Sequence, residues 1–97
     1  MKERNQVSNM TSYGKPRIPL EVISFFKEGQ IYPLRFRYYH VKKARYLVVF
    51  VQRIDYMVKV ERNGLIEKTF HVQGKNQKRI KRYALYLDPK SKNWFLH

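Results

Sequence analysis

From Pro19 onward the pattern of apolar and polar positions is that of β-strands and not of helices. The first such segment, Leu20-Glu21-Val22-Ile23-Ser24-Phe25-Phe26, is rich in β-branched and aromatic residues and ends at the polar Lys27-Glu28-Gly29-Gln30. Gly29 there suits a turn with positive φ. Residues 31–39 follow, with Leu34, Phe36 and Tyr38 expected on one face and Arg35, Arg37 and Tyr39 on the other. Pro33 has no N–H to give a ladder and is expected at the entry to this strand or on an edge. The polar residues 40–44, with Lys42 and Lys43, close the segment.

The most apolar stretch is residues 45–54 (RYLVVFVQRI), whose middle, Leu47-Val48-Val49-Phe50-Val51, is hydrophobic on both faces. That pattern predicts a strand buried on both sides or the coiled central strand of a small barrel. A helix competes poorly, because Val48, Val49 and Val51 lose rotamer freedom in one. Asp55 marks a bend or bulge, after which Tyr56, Val58 and Val60 alternate with Met57, Lys59 and Glu61. Asn63-Gly64 accepts the left-handed conformations of a type I′ turn, so a tight hairpin is expected between strands ending near Arg62 and restarting at Leu65. On the return, Ile66, Phe70 and Val72 share a face that Lys68 interrupts, opposite Glu67, Thr69 and His71, and Gly74-Lys75-Asn76-Gln77 is expected to break the strand. A further strand over about residues 79–87 places Tyr83, Leu85 and Leu87 opposite Ala84 and Tyr86. After the turn at residues 88–93, Trp94-Phe95-Leu96 returns beside Leu85-Tyr86-Leu87, with Trp94 closing the core.

Six or seven short strands without a helix fit an all-β fold, a small curled antiparallel barrel or roll, SH3-like by preference and OB-like as the second choice. The uncertainty of one in the count lies at residues 45–62, which also read as one long bent strand. Apart from Met1, residues 1–17 hold only Val7, Met10 and Tyr13 as sizeable apolar groups and show no period, so they are expected to form a mobile basic arm with Lys2, Arg4, Lys15 and Arg17. Residues 18–97 then make a single all-β domain.

The order of Tyr32-Pro33-Leu34-Arg35-Phe36-Arg37, Tyr56-Met57-Val58-Lys59-Val60, Arg82-Tyr83-Ala84-Leu85-Tyr86-Leu87 and Asn93-Trp94-Phe95-Leu96 resembles that of a group of small uncharacterised bacterial proteins. In these a P-L-x-F strand, a middle hairpin and a closing R-Y-x-L-Y … W-F-L hairpin frame one all-β domain. The resemblance spans about residues 19–97 and implies the fold, with no catalytic site or cofactor. This chain departs from that pattern in the basic run at 75–82 and the doubly apolar strand at 47–51.

Composition changes the picture through charge: 21 Lys+Arg against 7 Asp+Glu leave +14 on 97 residues, while 43% hydrophobic and 15% aromatic residues are enough for a packed core. Zero cysteines exclude disulfides, thiolate metal sites and a thiol nucleophile. His40, His71 and His97 have no ligand-like spacing, the seven acids are scattered, and the four glycines are isolated, so no enzyme activity, metal or cofactor is expected. A metal-free nuclease built on His71 with Lys and Arg is the remote exception. The five-residue apolar run is too short to cross a bilayer, and the charged start lacks an apolar segment, so a cytoplasmic protein without a membrane partner is expected.

Lys75, Lys78, Arg79, Lys81 and Arg82 put five cations into eight residues. In an extended chain Arg79, Lys81 and Tyr83 share one face and Ile80 and Arg82 the other. Arg35, Arg37, Arg45 and Arg53 extend the field on neighbouring strands. Such a surface can lie along phosphates and release their counterions, so the expected partner is RNA or DNA, bound without much sequence preference. Among eight tyrosines, Tyr39 and Tyr83 are the expected stacking platforms beside cations, whereas Tyr38, Tyr46, Tyr56 and Tyr86 are expected in the core or at its edge. Two other readings stand beside this one. In one the cations serve only as a solvated loop guarding an exposed edge; in the other the domain is a protein-interaction or homodimerising β module that meets an acidic partner or a second copy through the 47–51 strand.

Overall fold

A computed structural model describes residues 17–97, so that all of the expected arm except Arg17 lies outside the described residues. Six strands follow in order: β1 (Ile18–Lys27), β2 (Gln30–His40), β3 (Arg45–Arg62), β4 (Leu65–Asn76), β5 (Arg79–Leu87) and β6 (Trp94–Leu96). Each pairs antiparallel with its sequence neighbours, and β6 also pairs with β1, Ile18 opposite Leu96 and Leu20 opposite Trp94. The sheet thus closes as a barrel in the order β1-β2-β3-β4-β5-β6. The all-β barrel is as the alternation predicts. This consecutive order lacks the Greek-key crossing that an OB-like barrel needs.

Two of the hairpins are written in the turn residues. Asn63 and Gly64 take φ of 53° and 79° between Arg62 and Leu65, and Glu28 and Gly29 take 51° and 75° between Lys27 and Gln30. Paired positive φ values give the twist that a two-residue connection requires. The inward residues come from every strand: Leu20, Phe36, Tyr38, Leu47, Val49, Phe70, Val72, Leu85 and Trp94 form one cluster, with the Trp94 ring tilted against Phe70 at 5.6 Å.

Residues 45–62 form one strand, so the count is six. β3 slips its register against β4 twice, between Val51 and Arg53 and between Ile54 and Tyr56, the second at Asp55 where a bend was expected. Each slip inserts one unpaired residue and increases the local coil, which lets an 18-residue strand wrap the barrel.

Several expectations need correction. Leu34 does not share the face of Phe36 and Tyr38: Ile23 opposes Arg35 and Ser24 opposes Pro33, leaving Leu34 as the extra residue of a bulge, exposed, while Pro33 is buried. Pro33 therefore lies inside the strand, where the interrupted ladder has least need of its missing N–H. Of the two readings of the 47–51 segment, burial on both sides gives way to the coiled strand of a small barrel: Leu47 and Val49 face in, but Val48 and Phe50 face out and remain 39% and 49% exposed. A barrel is one sheet, and among the described residues no second layer covers this part of its outside. Arg17, the last residue of the expected arm, has its guanidinium 4.1 Å from the centre of the Tyr86 ring.

Gly74 does not end β4, which continues to Asn76. It is a buried strand residue opposite Val51 and Lys81, and a Cβ placed there would collide with the Val49 side chain and press on the Tyr83 ring at 3.3 Å. Val49 is fully buried and has little room to retreat. Gly74→Ala is accordingly expected to destabilise the domain by about 1–3 kcal/mol through overpacking, read as a lower urea midpoint at unchanged slope; an unchanged midpoint would show that the strands separate freely there.

Candidate functional site

Residues directly opposite each other in an antiparallel pair point to the same side of the sheet. With Phe36, Tyr38, Leu47 and Val49 turned inward, three rows of outward side chains follow from the register. Tyr39 faces Tyr46; Glu21, Arg37 and Val48 form the next row; and Ile23, Arg35, Phe50, Lys75 and Ile80 form a third that crosses five strands. Tyr39, Tyr46, Val48, Phe50, Ile23 and Ile80 are all exposed.

Cations and rings interleave on this face. The Arg37 guanidinium lies 4.6 Å from the Tyr46 ring centre and that of Arg35 lies 5.8 Å from Phe50, distances at which the ring quadrupole attracts a cation. Tyr39 and Tyr46 meet edge to face at 5.4 Å. Arg37 also donates from Nε to Glu21 Oε1, and that hydrogen bond, followed by the carboxylate's charge, raises the Arg37 pKa above its ordinary value. Glu21 is the one carboxylate in these rows.

The basic hairpin joins this face through β3. Lys75 stands opposite Phe50, and the Asn76 side-chain amide donates to the Val48 carbonyl at 2.7 Å, fastening the end of β4 to β3. Across the hairpin, Asn76 opposes Arg79, Gly74 opposes Lys81 and Gln73 opposes Arg82, with Gln77 and Lys78 at the tip. The five expected cations therefore do not lie on one side. Lys75 and Arg82 continue the outer face, Lys78 sits at the turn, and Arg79 and Lys81 point to the side of Tyr83, at the end of the hairpin where all of residues 79–82 are exposed. Among the described residues the ion pairs engage Arg37, Arg53 and Arg62, and none engages these five.

Of the two tyrosines expected as platforms, only Tyr39 is on the outer face. Tyr83 turns inward, half-buried, its ring edge-on to Phe36 at 5.3 Å, and burial raises its pKa. Tyr46 and Tyr56, expected in or at the core, are exposed instead, whereas Tyr38 and Tyr86 are buried. Tyr86 owes its burial to a cover on the outside of the sheet: Arg17 lies over it and His97 stacks on it at 5.4 Å. Nothing in the sequence marks Phe50 and Tyr46 as binding groups, because the pattern of their stretch is that of a strand apolar on both faces.

Asp55, Tyr56, His71, Arg82 and His97 are among the residues that line a concavity elsewhere on the barrel. Tyr56 stacks on His71 at 4.4 Å. Asp55 accepts from Arg53 at 2.8 Å and from Gln73 at 3.3 Å, and these bonds, the Arg53 one foremost, lower its pKa. His97 is held below its ordinary 6.5, first by burial and then by the charges of Arg17 and His71. Its ring should titrate below 6.5 in an NMR pH series; a midpoint at 6.5 would place it in open solvent, and one above that value beside an acid. Among the described residues no group of three or more His, Cys, Asp or Glu is placed to hold a metal ion.

Fold and surface together define a basic, closed, six-stranded barrel with a cationic and aromatic outer face. Comparison with protein-family models, curated proteins and solved structures gives no match to the chain, so its own geometry carries the functional argument. No helix among the described residues is long and apolar enough to cross a membrane.

Proposed function

We propose that the chain is a non-enzymatic nucleic-acid-binding domain of low sequence specificity, acting on RNA or DNA through the outer face of β2 and β3 and the adjoining β4–β5 hairpin. One observation carries this reading: the register sets Arg35, Phe50 and Lys75 side by side on three strands, so that Lys75 of the basic hairpin and the arginines of β2 form one exposed surface around an aromatic ring. Phosphate contacts position a chain without reading its bases, and no recognition helix is present among the described residues. In this reading the protein works in the cytoplasm, and its barrel is a variant of the SH3-like arrangement closed by β6. The exposed Val48 and Phe50 favour a second reading, self-association or an acidic protein docking on the same face.

Salt separates the two. Titration of labelled single strands and duplexes into the purified protein at two ionic strengths is expected to show binding that weakens steeply with salt and differs little among sequences. Absence of binding at about 50 mM salt would overturn the proposal, because counterion release is strongest there.

A further inference from the structure

The outer face of β2 and β3 is unlike an ordinary cationic surface, because half-exposed rings stand among the charges, Phe50 beside Arg35 and Tyr46 with the Arg37 guanidinium toward one face. We infer that this face takes unpaired nucleic acid, with one base stacked on Phe50 between Arg35 and Lys75 and a second on Tyr46 beside Arg37. The inference rests on the nucleic-acid reading above and narrows it from a polyanion to a single strand. A duplex presents phosphates and base edges, while the faces of its bases are occupied by their neighbours. A ring standing on a sheet reaches a base face only where the strand is unpaired.

Geometry sets the path. Tyr46 and Phe50 lie four residues apart on one side of β3, about 13 Å at the rise of an extended strand, so bases on the two platforms cannot belong to one continuous stack. The strand is splayed, crossing Val48 between them, with Arg37 and Arg35 flanking it from β2 and Lys75 from β4. The Asn76 bond to the Val48 carbonyl holds the hairpin, and so the remaining cations, at the Phe50 end of this track. A second copy of the chain is the other candidate occupant, since Ile23, Val48, Phe50 and Ile80 are apolar and exposed. Two such faces meeting across a twofold axis, however, would oppose Arg35, Arg37 and Lys75 to their own copies, with Glu21 as the one acid in these rows.

The test compares Phe50→Ala, Phe50→Leu and Phe50→Tyr with the Arg35→Gln, Lys75→Gln double variant. The probes are fluorescein-labelled thymidine and uridine strands about twelve nucleotides long, within the site size of sheet-based single-strand binders, and a duplex of equal length. Phe50→Ala is expected to weaken single-strand binding about fivefold to 150-fold, the span of ~1–3 kcal/mol per stacked base at 1.4 kcal/mol per tenfold. Duplex binding should be unchanged. Phe50→Leu, apolar but without a π face, should behave like alanine, and Phe50→Tyr should keep single-strand binding. The double variant should weaken both probes. Unchanged single-strand affinity in both Phe50→Ala and Phe50→Leu, with loss in the double variant, would overturn stacking and leave the polyanion reading standing. No binding of either probe by the unmodified protein would overturn both. A dimer in sedimentation that Phe50→Ala dissociates would then give this face to a second copy.

Discussion

Replacing Lys75, Lys78, Arg79, Lys81 and Arg82 together by glutamine is expected to lower affinity for a short duplex by two to three orders of magnitude and to flatten its salt dependence. Each phosphate neutralised on a duplex contributes about −0.9 to the slope of log affinity against log salt. Five such contacts account for a loss of about 500-fold between 50 and 200 mM salt, and their removal erases that dependence. The hairpin cations are exposed and none enters an ion pair among the described residues, so the substitution disturbs little of the fold. Circular dichroism of the variant checks this independently. The control changes Lys2, Arg4, Lys27 and Lys90 to glutamine. Lys27 ends β1 and Lys90 lies in the connection between β5 and β6. This control removes four charges of the same sign and should cost far less. Equal losses in the two variants would mean that the whole field of +14 acts at a distance and that the hairpin is not its centre.

Much of the barrel is legible in the chain because its turns are local. Asn63-Gly64 needs no distant contact to fix Arg62 opposite Leu65, and the alternation of Tyr83, Leu85 and Leu87 identifies the inner face of β5 unaided. What the chain does not display is where the count slips. The alternation Leu34-Arg35-Phe36-Arg37-Tyr38 runs through the β2 bulge without a mark, so Leu34 reads as core although its lack of a partner exposes it. The same blindness hides the site. Counting back from the Asn63-Gly64 turn without interruption sets Phe50 opposite Gln77. Each of the two extra residues in β3 moves that partner by one, to Lys75. Arg35, Arg37 and Tyr39 were recognisable from alternation within one strand, but the row that joins Arg35, Phe50 and Lys75 depends on register across three strands. Gly74 is similar: local reading takes a glycine for a breaker, whereas its reason is the approach of Val49 and Tyr83 from elsewhere in the barrel.

The two phenylalanines of the central strands, Phe36 and Phe50, separate the two sides of this sheet energetically. Phe36 is 1% exposed, sits between Val22 and Val49 in the register, and packs its ring against Tyr38 at 6.3 Å and Tyr83 at 5.3 Å. Truncation to alanine removes the transfer free energy of the ring and leaves a cavity that fully buried neighbours such as Val49 and Leu85 cannot fill. A loss of about 3–5 kcal/mol is expected, a large share of the roughly 5–15 kcal/mol that holds a domain of this size. At about 4–8 °C per kcal/mol the melting temperature should fall by at least about 12 °C. Phe50→Ala, on the half-exposed outer side, should move stability by no more than about 0.5 kcal/mol. Trp94 reports both: it is the sole tryptophan, belongs to the core cluster and packs on Phe70, so its emission follows the barrel as it opens. Urea titration should therefore shift the midpoint strongly for Phe36→Ala and scarcely for Phe50→Ala at equal slope. A comparable shift for both would mean that the outer face of β3 is buried in the protein in solution, and that the ring at Phe50 is not open to a base.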